Sequence, residues 1–77
     1  MLDGTIRNNI RALRFQAGEM TQQSLADKVG ITRQTVIALE KSKYYPSLAL
    51  AFRIAATFDQ PLENVFQYDP PAGGEKS

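Results

Sequence analysis

The stretch from Thr21 to Lys43 (TQQSLADKVGITRQTVIALEKSK) constrains the fold most strongly, because its pattern predicts two short helices joined by a tight turn. Apolar residues share one face in each half: Leu25, Ala26 and Val29 in the first, and Val36 and Leu39 in the second. Gly30 lies between the halves, where a chain that leaves a helix often adopts a left-handed backbone that glycine accepts without steric cost. Ala26 is small, as two helices crossing at about 90–120° require at their contact.

The second predicted helix, residues 33–41, carries hydrogen-bonding side chains opposite its apolar face. The outward residues are Arg33, Gln34, Thr35, Ile37, Ala38 and Lys41. Such a face suits the reading of base edges in a major groove, although an ordinary solvated helix face has the same composition. Arg33 would pair with guanine or contact a phosphate, and Gln34 would pair with adenine or brace another side chain. Thr35 would reach a phosphate or a thymine methyl group.

Ile37 is the unusual residue on this face, because an exposed β-branched apolar side chain is a minor liability on a surface helix. In a groove it would meet thymine methyl groups. Alternatively it packs at the edge of the core, since exposed apolar residues are common in proteins. The sequence leaves both possibilities open.

The same stretch closely resembles the helix-turn-helix of the lambda-repressor/Cro-like regulators of bacteria and phages, also called the xenobiotic-response-element type. Gln22, Ala26, Gly30 and the run RQTVIALEK stand where that family has them. The resemblance continues through KYYPSLALAFRIAATF and PLENVFQY and covers about residues 6–68. It implies an all-α, five-helix fold of a small stand-alone member. A short antiparallel β ribbon between the N-terminal residues and residues 66–68 is a further possibility.

The resemblance also implies which residues contact double-stranded DNA. It places Gln22 at a phosphate, where the positive end of a helix dipole assists its amide, and it places Lys43 and one tyrosine hydroxyl along the DNA backbone. Ala38 departs from the longer polar residue of many relatives, so the family's base preference does not transfer. The expected DNA-binding residues are Gln22, Gln23, Thr32, Arg33, Gln34, Thr35, Ile37, Ala38, Lys41, Lys43 and Tyr44.

The resemblance implies a structural ion pair between Arg14 and Glu40. A planar guanidinium can hold a carboxylate through two parallel hydrogen bonds and so fix the third helix against the first. The alternative for Arg14 is a solvated side chain.

The remaining helices are predicted at about residues 5–17, 22–29, 48–58 and 62–66, with Thr21, Thr32 and Ser47 as N-caps. In the first, Ile6, Ile10 and Leu13 follow helical spacing. In the fourth, an apolar stripe of Leu48, Ala51, Ala55 and Phe58 is accompanied by further apolar residues, and a helix apolar on several faces must bury the excess. A homodimer is therefore expected. Its predicted interface residues are Leu50, Phe52, Ile54, Phe66 and Tyr68.

The composition restricts the function further. Four basic residues against one acidic residue between positions 28 and 43 give that segment a balance of +3, while the whole chain carries only +1. The chain has no cysteine and no histidine, which removes disulfides, thiolate or imidazole metal sites and the usual nucleophile–base pairs. No catalytic residue, metal ligand or cofactor site is therefore predicted, and the chain is not expected to be an enzyme.

We expect one DNA-binding domain over residues 1–68, with the helix-turn-helix at 21–41, followed by a disordered tail at 69–77 rich in proline, glycine and charge. No apolar run is long enough to span a bilayer and the N-terminus lacks a signal-peptide core, so the cytoplasm is the expected location. The expected function is that of a sequence-specific transcriptional regulator, a repressor that binds a palindromic operator as a homodimer. The alternative is an antitoxin or interaction module whose C-terminal half binds a partner protein. A small-molecule effector at the dimer interface stays open, although the sequence shows no pocket for one, and no separate effector domain is expected.

Overall fold

A computed structural model describes residues 4–71, in which five α-helices pack around one core and a two-stranded sheet pairs the two ends. The elements are β1 Thr5–Asn8, α1 Ile10–Gln16, α2 Gln22–Val29, α3 Arg33–Glu40, α4 Leu48–Thr57, α5 Leu62–Val65 and β2 Phe66–Asp69. The predicted fold class, five helices with a terminal antiparallel ribbon, is confirmed. No helix in residues 4–71 is both long and apolar enough to cross a membrane.

The first helix is shorter than predicted, because residues 5–8 form a strand. Strand β1 pairs antiparallel with β2, so that Ile6 lies opposite Tyr68 and Asn8 opposite Phe66. The backbone N–H of Asn9 then donates to the carbonyl of Val65 at 2.9 Å, which holds the chain in place before α1 begins. The helical spacing of Ile6 with the next apolar residues was misleading, since Ile6 follows the two-residue alternation of a strand.

Three hydrogen bonds that involve side chains connect the strands at the outer end of the ribbon. Gly4 donates its N–H to the Tyr68 hydroxyl at 3.2 Å, and a Cβ at Gly4 would collide with the Tyr68 ring and the Asp69 carbonyl oxygen. Arg7 donates from Nε to Oδ2 of Asp69 at 2.5 Å and from Nη2 to Oδ1 at 3.2 Å. The predicted start of the tail at residue 69 is therefore wrong, because Asp69 belongs to β2. Residues 72–77 of the predicted tail lie outside the described residues.

The core draws at least one large side chain from every helix. Ile10, Leu25, Val36, Leu39, Ile54 and Val65 are fully or almost fully buried. Burial of such a side chain stabilises a fold by about 1.5–3 kcal/mol, so these six provide most of the apolar driving force. Ala26 is also fully buried, which lets α2 and α3 approach closely, as its size predicted.

The orientation of α4 corrects the expected dimer interface. Leu50 and Ile54 are 5% and 0% exposed and belong to the core of the same subunit, so neither can contact a second copy. Leu48, predicted as part of the inward stripe, is 65% exposed. The helix is apolar on several faces, and it turns inward the face that carries the bulky pair Leu50 and Ile54, together with Ala51 and Ala55.

Candidate nucleic-acid interface

The turn between α2 and α3 is built by local capping interactions. The Thr21 hydroxyl accepts the N–H of Ser24 at 2.9 Å, and the Thr32 hydroxyl accepts the N–H of Thr35 at 3.1 Å, as the sequence predicted. Gly30 has a left-handed backbone with φ of 79° and donates its N–H to the carbonyl of Ala26 at 2.9 Å. The two helices therefore meet at a rigid, fully capped corner.

The outward face of α3 combines exposed and half-buried side chains. Arg33, Gln34 and the C-cap residue Lys41 are exposed, while Thr35, Ile37 and Ala38 are half-buried. Val36 and Leu39 are buried on the opposite side and hold the helix against the core. The half-buried state of Ile37 fits both alternatives, since the side chain contacts neighbouring residues and still presents surface.

The cap of α3 also orders two hydroxyl groups on this face. Oγ1 of Thr32 and Oγ1 of Thr35 lie 2.9 Å apart, so one of them donates to the other. Thr32 is exposed and Thr35 is half-buried, which places both at the N-terminal end of the outward face.

The predicted Arg14–Glu40 ion pair is present and ties α1 to α3. Nε and Nη2 of Arg14 donate to the two carboxylate oxygens of Glu40 at 2.6 and 3.1 Å. Nη1 of Arg14 also donates to the carbonyl of Met20 at 2.8 Å, just ahead of α2. The two side chains are only 9% and 11% exposed, so each charge depends on the other for compensation.

Gln22 has a partner that sequence reasoning did not predict. Its Nε2 donates to Oε1 of Glu40 at 3.2 Å, so the amide at the start of α2 joins the Arg14–Glu40 pair. The neighbouring Gln23 is exposed and donates to Asp27 one turn along the same helix at 2.9 Å. No signal in the sequence could have identified the Gln22 contact, because it joins polar side chains eighteen positions apart.

The loop between α3 and α4 presents Lys43 and two tyrosines. The Lys43 side chain is exposed, and the backbone N–H of Lys43 donates to the carbonyl of Ala38 at 2.9 Å. Ser42 has a left-handed backbone with φ of 57°, which turns the loop away from α3. Tyr44 is 45% exposed. Tyr45 is 51% exposed and lines an apolar groove together with Leu48 of α4.

Sequence reasoning also missed two contributions of the segment ahead of the helix-turn-helix. Nδ2 of Asn8 donates to the carbonyl of Leu39 at 2.8 Å and so fixes the last turn of α3 from the ribbon. On α1, the guanidinium of Arg11 lies over the ring of Phe15, 5.4 Å from its centroid. The i to i+4 spacing of Arg11 and Phe15 could have indicated the second contact.

No group of three or more potential metal-ligating side chains is found within the part of the chain that the structure describes. The arrangement can therefore offer hydrogen bonds, cationic groups and a shaped surface. A short helix that projects polar side chains from a rigid corner defines the class of helix-turn-helix domains, in which such a helix enters the major groove of DNA.

The comparisons with known proteins agree with this class. A family model described as helix-turn-helix matches residues 10–65, and the chain belongs to that family, which is of the lambda-repressor-like type and not a family of enzymes. An uncharacterized HTH-type transcriptional regulator of Archaeoglobus fulgidus is 48% identical over 64 residues, covering 83% of this chain and 90% of that protein.

Two further relatives show the same correspondence. The uncharacterized HTH-type transcriptional regulator MJ0272 of Methanocaldococcus jannaschii is 54% identical over 50 residues, 65% of this chain and 76% of its own length. The uncharacterized HTH-type transcriptional regulator YgzD of Bacillus subtilis is 44% identical over 61 residues, 79% of this chain and 91% of its own length.

Proposed function

We propose that the chain is a sequence-specific DNA-binding transcriptional repressor that binds a palindromic operator as a homodimer. The observation that carries the proposal is the face of α3, where Arg33 and Gln34 are exposed while Val36 and Leu39 anchor the helix in the core. A helix held in this way can enter the major groove without rearrangement. The names of the relatives in Archaeoglobus and Bacillus, HTH-type transcriptional regulators, support the same class.

Base reading is assigned to the N-terminal half of α3. Arg33 has five guanidinium donors and matches the O6 and N7 acceptors of guanine, and Gln34 matches the N6 and N7 groups of adenine. Thr35 and Ile37 offer methyl groups at half-buried positions, which suits contact with thymine. Ala38 adds no hydrogen bond, and its small side chain leaves space beside the base edges.

Backbone binding is assigned to both ends of the corner. Gln22 opens α2, where the positive end of the helix dipole favours a phosphate, and Lys43 is an exposed cation on the loop that follows α3. Lys41 and Tyr44 are exposed beside it. These contacts position the domain on the duplex, whereas Arg33 and Gln34 supply the base preference.

The homodimer is assigned to an apolar surface formed by the two strands, α4, α5 and the loop ahead of α4. A groove of 280 Å³ is lined by Ile6, Tyr45, Pro46, Leu48, Ala51, Leu62 and Phe66. Leu48 and Phe52, one helical turn apart on α4, are 65% and 53% exposed, and Tyr68 on the ribbon is 60% exposed. So much exposed apolar surface on a small domain favours a protein interface. Phe52, Phe66 and Tyr68 remain from the predicted interface, and Leu48 replaces the two core residues.

A two-fold dimer places two copies of α3 in successive major grooves, about 34 Å apart on one face of the duplex, and therefore selects a palindrome. Repression then follows from occupancy, because a dimer bound over a promoter excludes the transcription machinery.

Selection of bound duplexes from a random pool tests the proposal. The expected result is two inverted half-sites whose centres lie about 10 base pairs apart. A parallel selection with Arg33→Ala/Gln34→Ala should recover duplexes with no preference at the corresponding positions. A pool in which no duplex is enriched by the native protein would contradict the proposal.

Analytical ultracentrifugation tests the homodimer separately. The native protein should sediment as a dimer, and Leu48→Glu/Phe52→Glu should sediment as a folded monomer, with Glu63→Gln as an exposed control on α5. A native monomer that captures a different protein through the same groove would favour the interaction-module alternative.

A further inference from the structure

The face of α1 beside the ion pair carries a second candidate contact for nucleic acid. A cavity of 390 Å³ open to solvent is lined by Asn8, Asn9, Arg11, Ala12, Phe15 and Glu40. Arg11 is the cation of this cavity whose charge is not already used, because the ion pairs within residues 4–71 are Arg7–Asp69 and Arg14–Glu40. The carboxylate of Glu40 is neutralised by Arg14, so the cavity does not repel an anion.

Arg11 is held in place by an aromatic ring. Its guanidinium carbon lies 5.4 Å from the centroid of the Phe15 ring, and Arg14 lies 5.7 Å from the same centroid. Phe15 is 52% exposed, so its ring and the guanidinium above it both lie at the surface. A guanidinium on an aromatic face keeps its N–H donors in its own plane, so these donors can still bind an anion.

The position of Arg11 relative to Gln22 indicates which anion it meets. Gln22 donates to Glu40 at 3.2 Å, and Glu40 also lines the cavity that contains Arg11. Glu40 therefore both accepts from Gln22 and shares the lining of the cavity with Arg11. We expect a DNA strand with one phosphate at Gln22 to pass this carboxylate and reach the Arg11 guanidinium.

We propose that Arg11, ordered by Phe15, binds a DNA backbone phosphate next to the one bound by Gln22. This contact lies outside the helix-turn-helix and rests on the proposed function. It extends the DNA-binding surface from the corner of α2 and α3 onto α1. Phe15 acts as a positioning residue, since it orders the guanidinium and does not itself contact the phosphate.

The test is the salt dependence of duplex affinity, measured for the native protein, Arg11→Gln and Arg53→Gln. Each phosphate contact contributes about 0.9 to the slope of log affinity against log salt concentration, so Arg11→Gln should lower the slope by about that amount on both selected and random duplexes. Arg53→Gln is the matched control, because Arg53 is an exposed arginine that donates to the carbonyl of Val29, at the far end of α2 from Gln22. Its slope should equal that of the native protein.

The aromatic ring is tested by Phe15→Leu, with folding of every variant checked by circular dichroism. Phe15→Leu keeps the Arg11 charge, so the slope should be retained while affinity falls about two- to five-fold through loss of ordering. An unchanged slope for Arg11→Gln, or equal losses for Arg11→Gln and Arg53→Gln, would overturn the phosphate contact. If the native protein binds no duplex at all, the proposed function itself fails, so the two failures are distinguishable.

Discussion

The helix-turn-helix corner and the terminal ribbon are built by different kinds of interaction. The corner of α2 and α3 depends on contacts between residues close in sequence, such as the Thr21 and Thr32 caps and the left-handed Gly30. The ribbon joins residues from the two ends of the described chain, as in the Arg7–Asp69 pair, which is 62 positions apart. The corner presents polar and cationic groups, and the ribbon presents the Tyr68 ring beside the exposed Arg7–Asp69 pair. The proposed reading surface therefore depends on local contacts, whereas the ribbon, which contributes Tyr68 to the proposed dimer interface, depends on contacts between residues far apart in sequence.

The largest expected effect concerns the ion pair that joins α1 to the reading surface. Glu40→Ala leaves the Arg14 charge buried without compensation, and we expect a loss of about 3–5 kcal/mol in the free energy of unfolding. Denaturant unfolding measures it. The double variant Arg14→Met/Glu40→Leu should recover most of the loss, because it leaves no buried charge. Native stability in Glu40→Ala would show that the pair is dispensable.

A pair of substitutions on α4 separates the core from the assembly surface. Ile54→Ala should cost about 2–5 kcal/mol of folding free energy, because Ile54 is fully buried. Phe52 lies on the exposed side of the same helix. Phe52→Ala should therefore change the free energy of unfolding of the monomer by no more than about 0.5 kcal/mol, and it should weaken the dimer. Denaturant unfolding measures the stability of both variants, and analytical ultracentrifugation measures their dimerisation. Similar losses of stability from both would place Phe52 in the core.

A substitution at Lys43, on the loop that follows α3, tests for contact with the DNA backbone as opposed to the bases. Lys43→Ala should weaken binding to all duplexes alike and lower the salt slope by about 0.9, since one phosphate contact is lost. Fluorescence anisotropy on selected and random duplexes gives both quantities. A loss confined to the selected duplex would instead make Lys43 a base-reading residue.

The smallest expected effect is the pH dependence of the ribbon. The hydrogen bond from Arg7 holds the pKa of Asp69 below its ordinary value of 3.8 and raises the pKa of Arg7. Because the folded pKa of Asp69 is depressed, its contribution to stability is present above pH 3.8 and is lost as pH falls through the lower folded value. Thermal unfolding at descending pH should show this loss in the native protein and not in Asp69→Asn. The same pH dependence of thermal unfolding in the native protein and in Asp69→Asn would show that the Arg7–Asp69 pair does not stabilise the ribbon.

Local signals explain which parts of this structure the sequence could predict. The caps Thr21, Thr32 and Ser47 and the turn at Gly30 act within four residues of themselves, so their sequence positions sufficed. The strand at Ile6 could not be predicted from its sequence position, because it pairs with Tyr68, 62 residues further along the chain.

Two further features required the three-dimensional packing. Several faces of α4 are apolar, and periodicity alone could not show that Leu50 and Ile54 would be buried while Leu48 would be exposed. In the candidate site, the Arg14–Glu40 pair was available from the family resemblance. The Gln22 contact to the same carboxylate arises from the crossing of three helices and has no signature in the sequence.

The most direct test of base reading by α3 is duplex selection with the single variant Arg33→Ala. We expect the preference to disappear at one position of each half-site, with a loss of about 1–3 kcal/mol on the native operator, because one bidentate contact is removed. All other positions should keep their preferences. An unchanged set of preferences, with affinity reduced equally on every duplex, would contradict the account and assign Arg33 to the DNA backbone.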